Sequence, residues 1–480
     1  MKISVLTVSI AGLMLSMLMV NKVSLAATGL TQTQTETLQT LKQQALQDDL
    51  SYQLIESLTT EVGARLVGSE GEKRSVQWAV DKMKSLGFDK VWTEESEAQL
   101  WQRGDMRAQI SSPFPHSVAA LALGNSVGTN GKTLKAEVVE FADLAALKAA
   151  SEDELEGKIA FISYKMERHK DGHGYGKAVG ARVVGASEAA KKGAVAFIMR
   201  SVGTDSNKFA HTGVSRYTEG VKKIPAVAIS NPDADLLQNA LKRGKPVTFS
   251  LTTNASGPTG ETTTIANVIG EVTGSKMPEQ LVTLGAHLDS WDVGTGAIDD
   301  GIGVGITMAA GHYIATLKQR PARTLRVILF AAEEVGLLGA KDYVKQHKDE
   351  MSQHVIGAEW DFGNGKIYEL EPGINPDALP AMSAFAKELA SLGVTMADTN
   401  TAKGQSDMSA LGEAGQPAVN FNPDGSDYFD FHHTRNDTLD KVDQEALKTN
   451  TAIYTMFAFF ATSTPTEFRH SPSTNNSDSQ

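Results

Sequence analysis

The sequence predicts an α/β protein with a mostly parallel central sheet flanked by helices, into which a second α/β domain is inserted. Strand-like and helix-like segments alternate through the C-terminal half, a pattern typical of a parallel sheet. Two turn-rich breaks, at 125–131 and 253–260, enclose a compact α/β pattern of their own. The length of 480 residues also exceeds what one hydrophobic core usually accommodates.

These breaks divide the chain into two domains and two ends. The main domain is predicted to comprise residues 27–125 and 259–462, and the inserted domain residues 126–258. Residues 463–480 are rich in Ser, Thr, Asn and Pro, so we expect a disordered tail there.

Each predicted element follows from its hydrophobic pattern and its flanking glycines. Before and within the insert, the expected helices and strands are helices at 32–60 and 73–86, a helix end at 187–192, and strands at 91–93, 158–162, 194–198 and 224–229. After the insert, the expected elements are strands at 281–286, 325–332, 355–360 and 417–421, and helices at 302–317, 336–347, 376–391 and 443–461.

Residues 1–26 have the features of a secretory signal peptide. Lys2 precedes an apolar run at 5–20, and small residues occupy the two positions that a signal peptidase reads before the cleavage site, Ser24 and Ala26. The alternative, an uncleaved anchor helix, needs about 20 apolar residues, and the run is shorter. We therefore expect an exported protein, periplasmic or secreted, with no membrane span in the mature chain.

Composition excludes several other classes. The formal charge of −12 argues against nucleic acid as a partner, because neutralising phosphates requires a basic surface. The chain has no cysteine, so disulfides and thiolate metal ligands are both excluded.

Acidic and imidazole side chains follow three of the predicted strands, at the point where each strand ends. His287 and Asp289 follow the first strand after the insert, Glu333 and Glu334 the second, and Asp361 the third. Open parallel sheets place their ligand crevice at the carboxyl ends of their strands. These side chains are therefore expected to meet at one edge of the sheet.

Other residues extend this set. Asp299 opens the next helix between glycines, where a carboxylate can bridge two cations, although a helix N-cap is the simpler alternative. Of the adjacent Glu333 and Glu334, one can ligate a metal while the other moves protons. His433, next to His432 in an aromatic segment, supplies a second nitrogen ligand.

Two histidines and three carboxylates suffice for two metal ions that share one aspartate, with a water between them. This donor set favours zinc, with cobalt and manganese as alternatives. The candidate metal ligands are His287, Asp299, Glu334, Asp361 and His433.

Five sequence motifs carry a family resemblance. They are Gly285–Gly294, Gly296–Gly301, Ala332–Glu334, Phe431–His433 and, in the insert, Lys222–Ala226. With them the chain resembles the co-catalytic zinc exopeptidase family (clan MH), and within it the carboxypeptidase Q branch, also called plasma glutamate carboxypeptidase. The resemblance spans nearly the whole mature chain and implies the zinc exopeptidase fold, with the insert as a protease-associated domain.

The resemblance also implies how the ligands divide between two zinc ions per chain. His287 and Asp361 would hold one zinc ion, Glu334 and His433 the other, and Asp299 would bridge them.

For the remaining residues the resemblance implies catalytic and supporting roles. Glu333 would be the general base, Asp289 would orient His287, and the bond between Asp299 and Asp300 is often cis in the family. Many relatives carry tyrosine where this chain has His432, a position that faces the substrate carbonyl. His432 is therefore a candidate for that role, with packing in the aromatic loop as the alternative.

The expected function is hydrolysis of dipeptides or short peptides with free termini. An aminopeptidase acting on longer peptides is the first alternative, and a receptor-like binding protein is the second. All five ligand positions are occupied, which favours an enzyme. The sequence shows no arginine as a partner for a substrate carboxylate, and it leaves open the preferred terminus and whether the protein is a homodimer.

Overall fold

The computed structural model describes residues 29–470, and within them two eight-stranded sheets form the frame of the molecule. The predicted signal segment, 1–26, and residues 471–480 of the predicted tail lie outside the described residues. In chain order the strands are β1 Lys90–Gln99, β2 Met106–Ser112, β3 His116–Ser117, β4 Ala120–Ala122, β5 Leu134–Phe141, β6 Ile159–Ile162, β7 Ala196–Arg200, β8 Ala226–Ile229, β9 Thr248–Thr253, β10 Thr262–Val272, β11 Met277–His287, β12 Arg323–Phe330, β13 His354–Glu359, β14 Ile367–Gly373, β15 Thr395–Met396 and β16 Ala418–Pro423.

Helices cover both faces of the first sheet. In chain order the α-helices are α1 Gln32–Gln47, α2 Leu50–Ser57, α3 Glu70–Ser85, α4 Leu144–Ala149, α5 Gly174–Lys191, α6 Asn231–Leu241, α7 Ile302–Ala315, α8 Leu338–Gln346, α9 Leu379–Leu389, α10 Met408–Glu413, α11 Tyr428–Phe431 and α12 Gln444–Ser463. A short π-helical turn, Leu58–Val62, continues α2.

The first sheet has the order β1-β10-β12-β11-β13-β16-β14-β15. Its central strands β12, β11, β13 and β16 are parallel, and β1 and β10 on one side pair antiparallel to their neighbours. On the other side β14 pairs antiparallel with β16 and parallel with β15. The predicted α/β class with a mostly parallel centre is confirmed.

Alternate residues of the central strands fill two separate cores. Val327 of β12 belongs to the large core beneath α7 and α12, and its neighbour Ile328 belongs to a smaller core beneath α8 and α10. Strands covered on both faces read as continuous apolar runs, which explains why their positions were predictable.

The second sheet has the order β3-β2-β9-β5-β6-β7-β8-β4 and carries α5 and α6. It begins at Met106, before the predicted boundary at residue 126, so that boundary falls inside the sheet. β2, β3, β4, β5 and β9 were not predicted from the sequence, because they are short or half-exposed strands without a continuous apolar run.

The predicted disordered tail is wrong for its first part, residues 463–470. Ser463 ends α12, and Phe468 is fully buried with its ring centroid 6.0 Å from that of Phe460. The guanidinium of Arg323 donates hydrogen bonds to the carbonyls of Thr464 and Thr466 at 2.8 Å each. The polar composition of residues 463–470 gave no indication of these contacts.

Between residues 29 and 470, no helix combines the length and the apolar character that crossing a bilayer requires.

Candidate functional site

The predicted crevice forms at the carboxyl ends of three adjacent parallel strands. β11 lies between β12 and β13 and ends at His287. Glu333 and Glu334 follow β12, and Asp361 follows β13. The sheet order therefore brings together side chains that are up to 74 positions apart in the sequence, from 287 to 361.

Asp299 lies between the two histidines. Its Oδ1 is 3.0 Å from Nε2 of His287, and its Oδ2 is 3.4 Å from Nε2 of His433. Asp361 Oδ1 is 3.5 Å from Nε2 of His287, and Glu334 Oε2 is 2.9 Å from Nε2 of His433. All five predicted ligands thus converge. Asp299 lies between a His287 side, which includes Asp361, and a His433 side, which includes Glu334.

The segment that carries Asp299 is fixed by two residues that the sequence analysis did not assign to the site. The carboxylate of Asp437 accepts hydrogen bonds from the backbone N–H of Ile298 at 2.6 Å and of Asp299 at 3.3 Å. Arg65, fully buried, donates to the carbonyls of Leu288 at 2.6 Å and Gly296 at 2.9 Å. The bond between Asp299 and Asp300 is cis, as the resemblance implied.

Asp289 supports two parts of the site. Nδ1 of His287 is 3.0 Å from the backbone carbonyl oxygen of Asp289 and 3.6 Å from its carboxylate, so the carbonyl is the nearer orienting group. The carboxylate accepts the backbone N–H groups of Glu333 at 3.0 Å and Glu334 at 3.3 Å. Asp289 therefore ties the loop after β12 to the loop after β11.

Glu333 points into the crevice beside the His287 side. Ser406 donates a hydrogen bond from Oγ to Glu333 Oε1 at 2.7 Å. Burial, reinforced by the nearby charge of Asp361, raises the pKa of Glu333 to about 8. A carboxyl with a pKa near neutrality can both accept and return a proton.

His432 and His433 are stacked, with ring centroids 3.5 Å apart. Nδ1 of His433 is 3.2 Å from the carbonyl oxygen of Thr212, a residue of the inserted unit. That contact places the proton on Nδ1 and leaves Nε2 free as a ligand atom. His432 Nε2 lies 3.8 Å from Asp299 Oδ2, so His432 also reaches the cluster. Burial, with the charge of His432 next, holds the pKa of His433 well below its ordinary value.

The donor atoms fit metal ions. Asp299, His432 and His433 form one group whose ligand atoms lie within 4.8 Å of one another, and His287, Glu333 and Asp361 form another. Among the described residues, buried Asp299 Oδ2 and Glu334 Oε1 have no hydrogen-bond donor. Burial and the charge of Asp299 raise the pKa of Glu334 well above its ordinary value, a repulsion that a cation would relieve. Nitrogen and oxygen donors without sulfur suit zinc among other divalent ions.

A cavity of about 440 Å³ opens over these groups. The inserted unit contributes Tyr175, Arg182 and Val214 to the cavity wall. The loops of the first sheet contribute the acidic and histidine side chains of the site, together with Phe362 and Phe429. These residues from the insert were not predicted from the sequence, because they lie between 73 and 112 positions before His287, the first predicted ligand.

Backbone strain is concentrated around the same cavity. Ala332, Leu337, Ser406 and His433 all have positive φ, from 40° to 60°, a region that residues with a Cβ rarely occupy. The other described non-glycine residues with positive φ are Asn or Asp, which tolerate it. Such strain persists where the surrounding structure imposes it and is typical of functional sites.

A parallel-sheet crevice with two imidazole-carboxylate clusters around a shared aspartate, and a further glutamate beside it, is the kind of site that metal-dependent hydrolases use. The comparisons with known proteins agree. Residues 267–458 match the protein family described as "Peptidase family M28". Carboxypeptidase Q of Mus musculus is 34% identical over 409 residues, which cover 85% of this chain and 85% of that protein.

Two further relatives extend the comparison. The crystal structure of a peptidase M28 precursor from Shewanella amazonensis SB2B superposes with a TM-score of 0.89 at 48% identity, covering 92% of this chain and 99% of that one. The aminopeptidase YwaD of Bacillus subtilis (strain 168) is 25% identical over 413 residues, or 83% of this chain and 81% of that protein. The protein belongs to peptidase family M28 and is a metallopeptidase, as the resemblance implied.

Proposed function

We propose that the protein is an exopeptidase that hydrolyses dipeptides or short peptides with free termini and holds two zinc ions per chain. The observation that carries this proposal is Asp299, whose two carboxylate oxygens face two different imidazoles, with Glu333 beside them. In this proposal His287 and Asp361 hold one ion, and Glu334 and His433 hold the other.

The ions, when bound, would polarise the scissile carbonyl and acidify a water molecule. Glu333 takes a proton from the attacking water and delivers it to the leaving amine. Ser406 holds the Glu333 carboxylate in place through its hydrogen bond of 2.7 Å. His432, buried beside Asp299, is positioned to donate a hydrogen bond to the carbonyl oxygen as negative charge develops on it.

The cavity supports short substrates. Its volume of about 440 Å³ and its wall of residues from both units are suited to a small ligand rather than to an extended chain. An aminopeptidase acting on longer peptides is the alternative, supported by the likeness to the Bacillus subtilis aminopeptidase.

One substrate panel separates these two functions. We expect the zinc-loaded protein to hydrolyse dipeptides at least ten times faster than N-acetylated dipeptides or pentapeptides, and zinc analysis to give two ions per chain. Efficient removal of N-terminal residues from pentapeptides would favour the aminopeptidase, and no hydrolysis of any peptide would contradict the proposal.

Export and assembly remain proposals. The signal segment at 1–26 should be absent from protein recovered from the periplasm or medium, which N-terminal sequencing tests. Light scattering of the same sample distinguishes a monomer from a homodimer.

A further inference from the structure

The inserted unit holds a buried ion pair that the proposed mechanism does not use. His211 and Asp205 are 1% and 8% exposed, and Nε2 of His211 lies 2.6 Å from Oδ2 of Asp205. Neither residue is among the described residues that line the cavity. A buried ion pair adds little to stability by itself, because removing both charges from water offsets most of their attraction. The contacts of the pair therefore indicate its role.

The other ring nitrogen of His211 reaches the segment that carries the last proposed ligand. Nδ1 lies 2.8 Å from the backbone carbonyl oxygen of His432, 221 positions further along the chain. A carbonyl oxygen only accepts, so Nδ1 donates, and the carboxylate of Asp205 accepts from Nε2. The ring is therefore fixed from both sides, and with a proton on each nitrogen its charge is balanced by Asp205.

The pair is itself anchored within the inserted unit. The backbone N–H of His211 donates to Oγ of Ser201, directly after β7, at 2.8 Å. Asp205 accepts the backbone N–H of Asn207 at 2.6 Å, and Nδ2 of Asn231, at the start of α6, donates to the Asp205 carbonyl at 3.2 Å. The position of the His211 ring is thus set by the second sheet and its helix.

The segment 428–433 depends on the inserted unit for several of its hydrogen bonds. Its helix, α11, has four residues, and carbonyls at a helix end have no partner inside the helix. Three carbonyl oxygens of this segment accept hydrogen bonds from the loop between β7 and β8: Phe429 from the Thr204 N–H at 3.0 Å, His432 from His211 Nδ1 at 2.8 Å and His433 from the Thr212 N–H at 3.0 Å. Of these three donors, His211 is the one that uses its side chain, so a substitution can remove it without changing the backbone.

The backbone conformation of His433 shows why that contact matters. His433 has a φ of 60°, which residues with a Cβ rarely adopt and keep where the surroundings impose it. The carbonyl that His211 holds belongs to the peptide bond that leads into His433. Without this donor one restraint on the peptide plane is lost, and His433 can relax toward a negative φ. Its Nε2 would then leave its place 2.9 Å from Oε2 of Glu334.

We propose that His211 and Asp205 are positioning residues for the His433 side of the metal site. They hold the peptide bond between His432 and His433, and so determine how tightly Glu334 and His433 retain their ion. This inference rests on the proposed function, because it presupposes a second ion at these ligands. It gives the inserted unit a role in metal retention in addition to its part in the cavity wall.

The zinc affinity of purified variants tests the proposal. Chelator competition on the wild-type protein should resolve two ions, and we expect His211→Ala to weaken the binding of one by about 10–100-fold and to leave the other unchanged. His211→Asn should recover most of the affinity, because its amide N–H can replace Nδ1 as the donor to His432. These measurements do not depend on turnover.

Arg200→Gln is the matched control. Arg200 is a buried cation of the same unit, 2% exposed, and its partners Ser163, Asn231, Asp235 and Gln238 all belong to that unit. We expect Arg200→Gln to lower the thermal stability of the metal-free protein and to leave both zinc affinities unchanged. The control thus separates a loss of stability from a loss of positioning.

A double variant shows which ion is affected. His433→Ala removes a proposed ligand and should lose the same ion, so adding His211→Ala should cause no further loss of affinity if both act through one site. If His211→Ala does not fold, Asp205→Asn tests the same contact, because it keeps the shape of the pair and removes its negative charge. Asp205→Asn should weaken the binding of the same ion.

The outcomes separate the two proposals. Unchanged zinc affinities in a folded His211→Ala or Asp205→Asn protein, an equal loss in Arg200→Gln, or independent losses in the double variant would overturn the positioning role. Wild-type protein that binds fewer than two ions would overturn it together with the two-ion site. Protein that binds two ions, loses affinity for one in His211→Ala and yet hydrolyses no peptide would support the positioning role and contradict the proposed function.

Discussion

Glu333 and Glu334 are adjacent in sequence, but their side chains occupy different positions in the site. Glu334 lies 2.9 Å from His433, whereas Glu333 accepts a hydrogen bond from Ser406 and is not needed to complete either proposed ligand set. We expect Glu333→Gln to lower turnover by about 10²–10⁴-fold with zinc content unchanged.

Activity and zinc stoichiometry measured on the same sample test this assignment, with Glu334→Gln as the matched change, which should lose metal. Wild-type turnover in a folded, zinc-loaded Glu333→Gln protein would refute the role of Glu333 as the base.

Asp299 and Asp289 should differ in their effect on metal retention. Asp299 faces both imidazoles, whereas the Asp289 carboxylate accepts the N–H groups of the segment after β12. We expect Asp299→Ala to lose both ions on dialysis and Asp289→Ala to weaken affinity by about 10–100-fold. An Asp289 variant that loses both ions while the Asp299 variant keeps both would show that the roles are exchanged.

At this scale the sequence predicted which candidate ligands converge, but not the residues that support them. His287, Glu334 and Asp361 follow apolar strands. Their residue types indicated metal binding, and the strands before them indicated a position at the sheet edge. Arg182 and Ser406 lie in segments whose approach to the site depends on tertiary packing, and nothing in their local sequence marks them.

At the scale of elements, a buried hydrogen-bond chain joins β12, α8 and β13. Arg326 donates to the Tyr343 hydroxyl at 2.6 Å, Tyr343 lies 2.8 Å from Nε2 of His354, and Nδ1 of His354 lies 3.1 Å from the Glu350 carbonyl. In the neutral form, Nδ1 of His354 donates to the Glu350 carbonyl and Nε2 accepts the hydroxyl proton of Tyr343. Burial, with the charge of Arg326 next, lowers the pKa of His354 to about 3.

This lowered pKa predicts an acid-sensitive contribution to stability. The unfolded chain, with an ordinary histidine pKa near 6.5, binds more protons between about pH 6.5 and 3 than the folded chain does. The contribution is therefore complete above pH 6.5 and is lost as the pH falls toward 3, by at most about 1.4 kcal/mol per pH unit.

Urea unfolding at pH 7 and pH 5 tests the contribution of His354. Wild-type protein should lose more stability between the two values than His354→Gln, which keeps an acceptor for Tyr343 but has no such titration. The exposed His116→Gln is the control and should behave like the wild type. Identical pH dependence in wild type and His354→Gln would contradict the prediction.

Whether a helix or strand was predictable from the sequence depended on how its residues are buried. The central strands and the long helices after the insert were predicted within a few residues, because their apolar periodicity reflects the faces that they bury. Within the insert, only the end of α5 was predicted, and α6 was missed. β10 and β14 were missed, although both are long and lie in the same sheet as the predicted strands. Polar residues such as the Thr262–Thr264 run of β10 and Glu369 and Glu371 of β14 interrupt their apolar pattern.

On the scale of the whole molecule, the segment after α12 ties the chain end to the first sheet. Phe468 is fully buried and lies under the Arg323 guanidinium at 5.8 Å from its ring centroid. We expect Phe468→Ala to lower the free energy of unfolding by about 3–5 kcal/mol. Phe114, 38% exposed, is the matched control, and Phe114→Ala should change stability little. Equal effects in chemical denaturation would show that this segment does not contribute to the core.

The sequence predicted only part of what each of the two sheets contributes to the site. Turn-rich breaks indicated an inserted unit, but the contacts of Thr212 and Arg182 with His433 became visible only in three dimensions. The sequence therefore predicted the fold class and the convergence of the candidate ligands at the sheet edge, and it left the insert without a role in the site.

The contact between Thr212 and His433 has a consequence for the order in which the site is made. Ribosomes synthesise the chain from its N-terminus, so all strands of the second sheet, which end at Thr253, are made before the first proposed ligand, His287. Thr212 and His433 are 221 positions apart, a delay of roughly 10–45 s at ordinary translation rates. The inserted unit is thus complete, and can begin to fold, before His433 is synthesised, and His433 then packs against a carbonyl of a unit that precedes it.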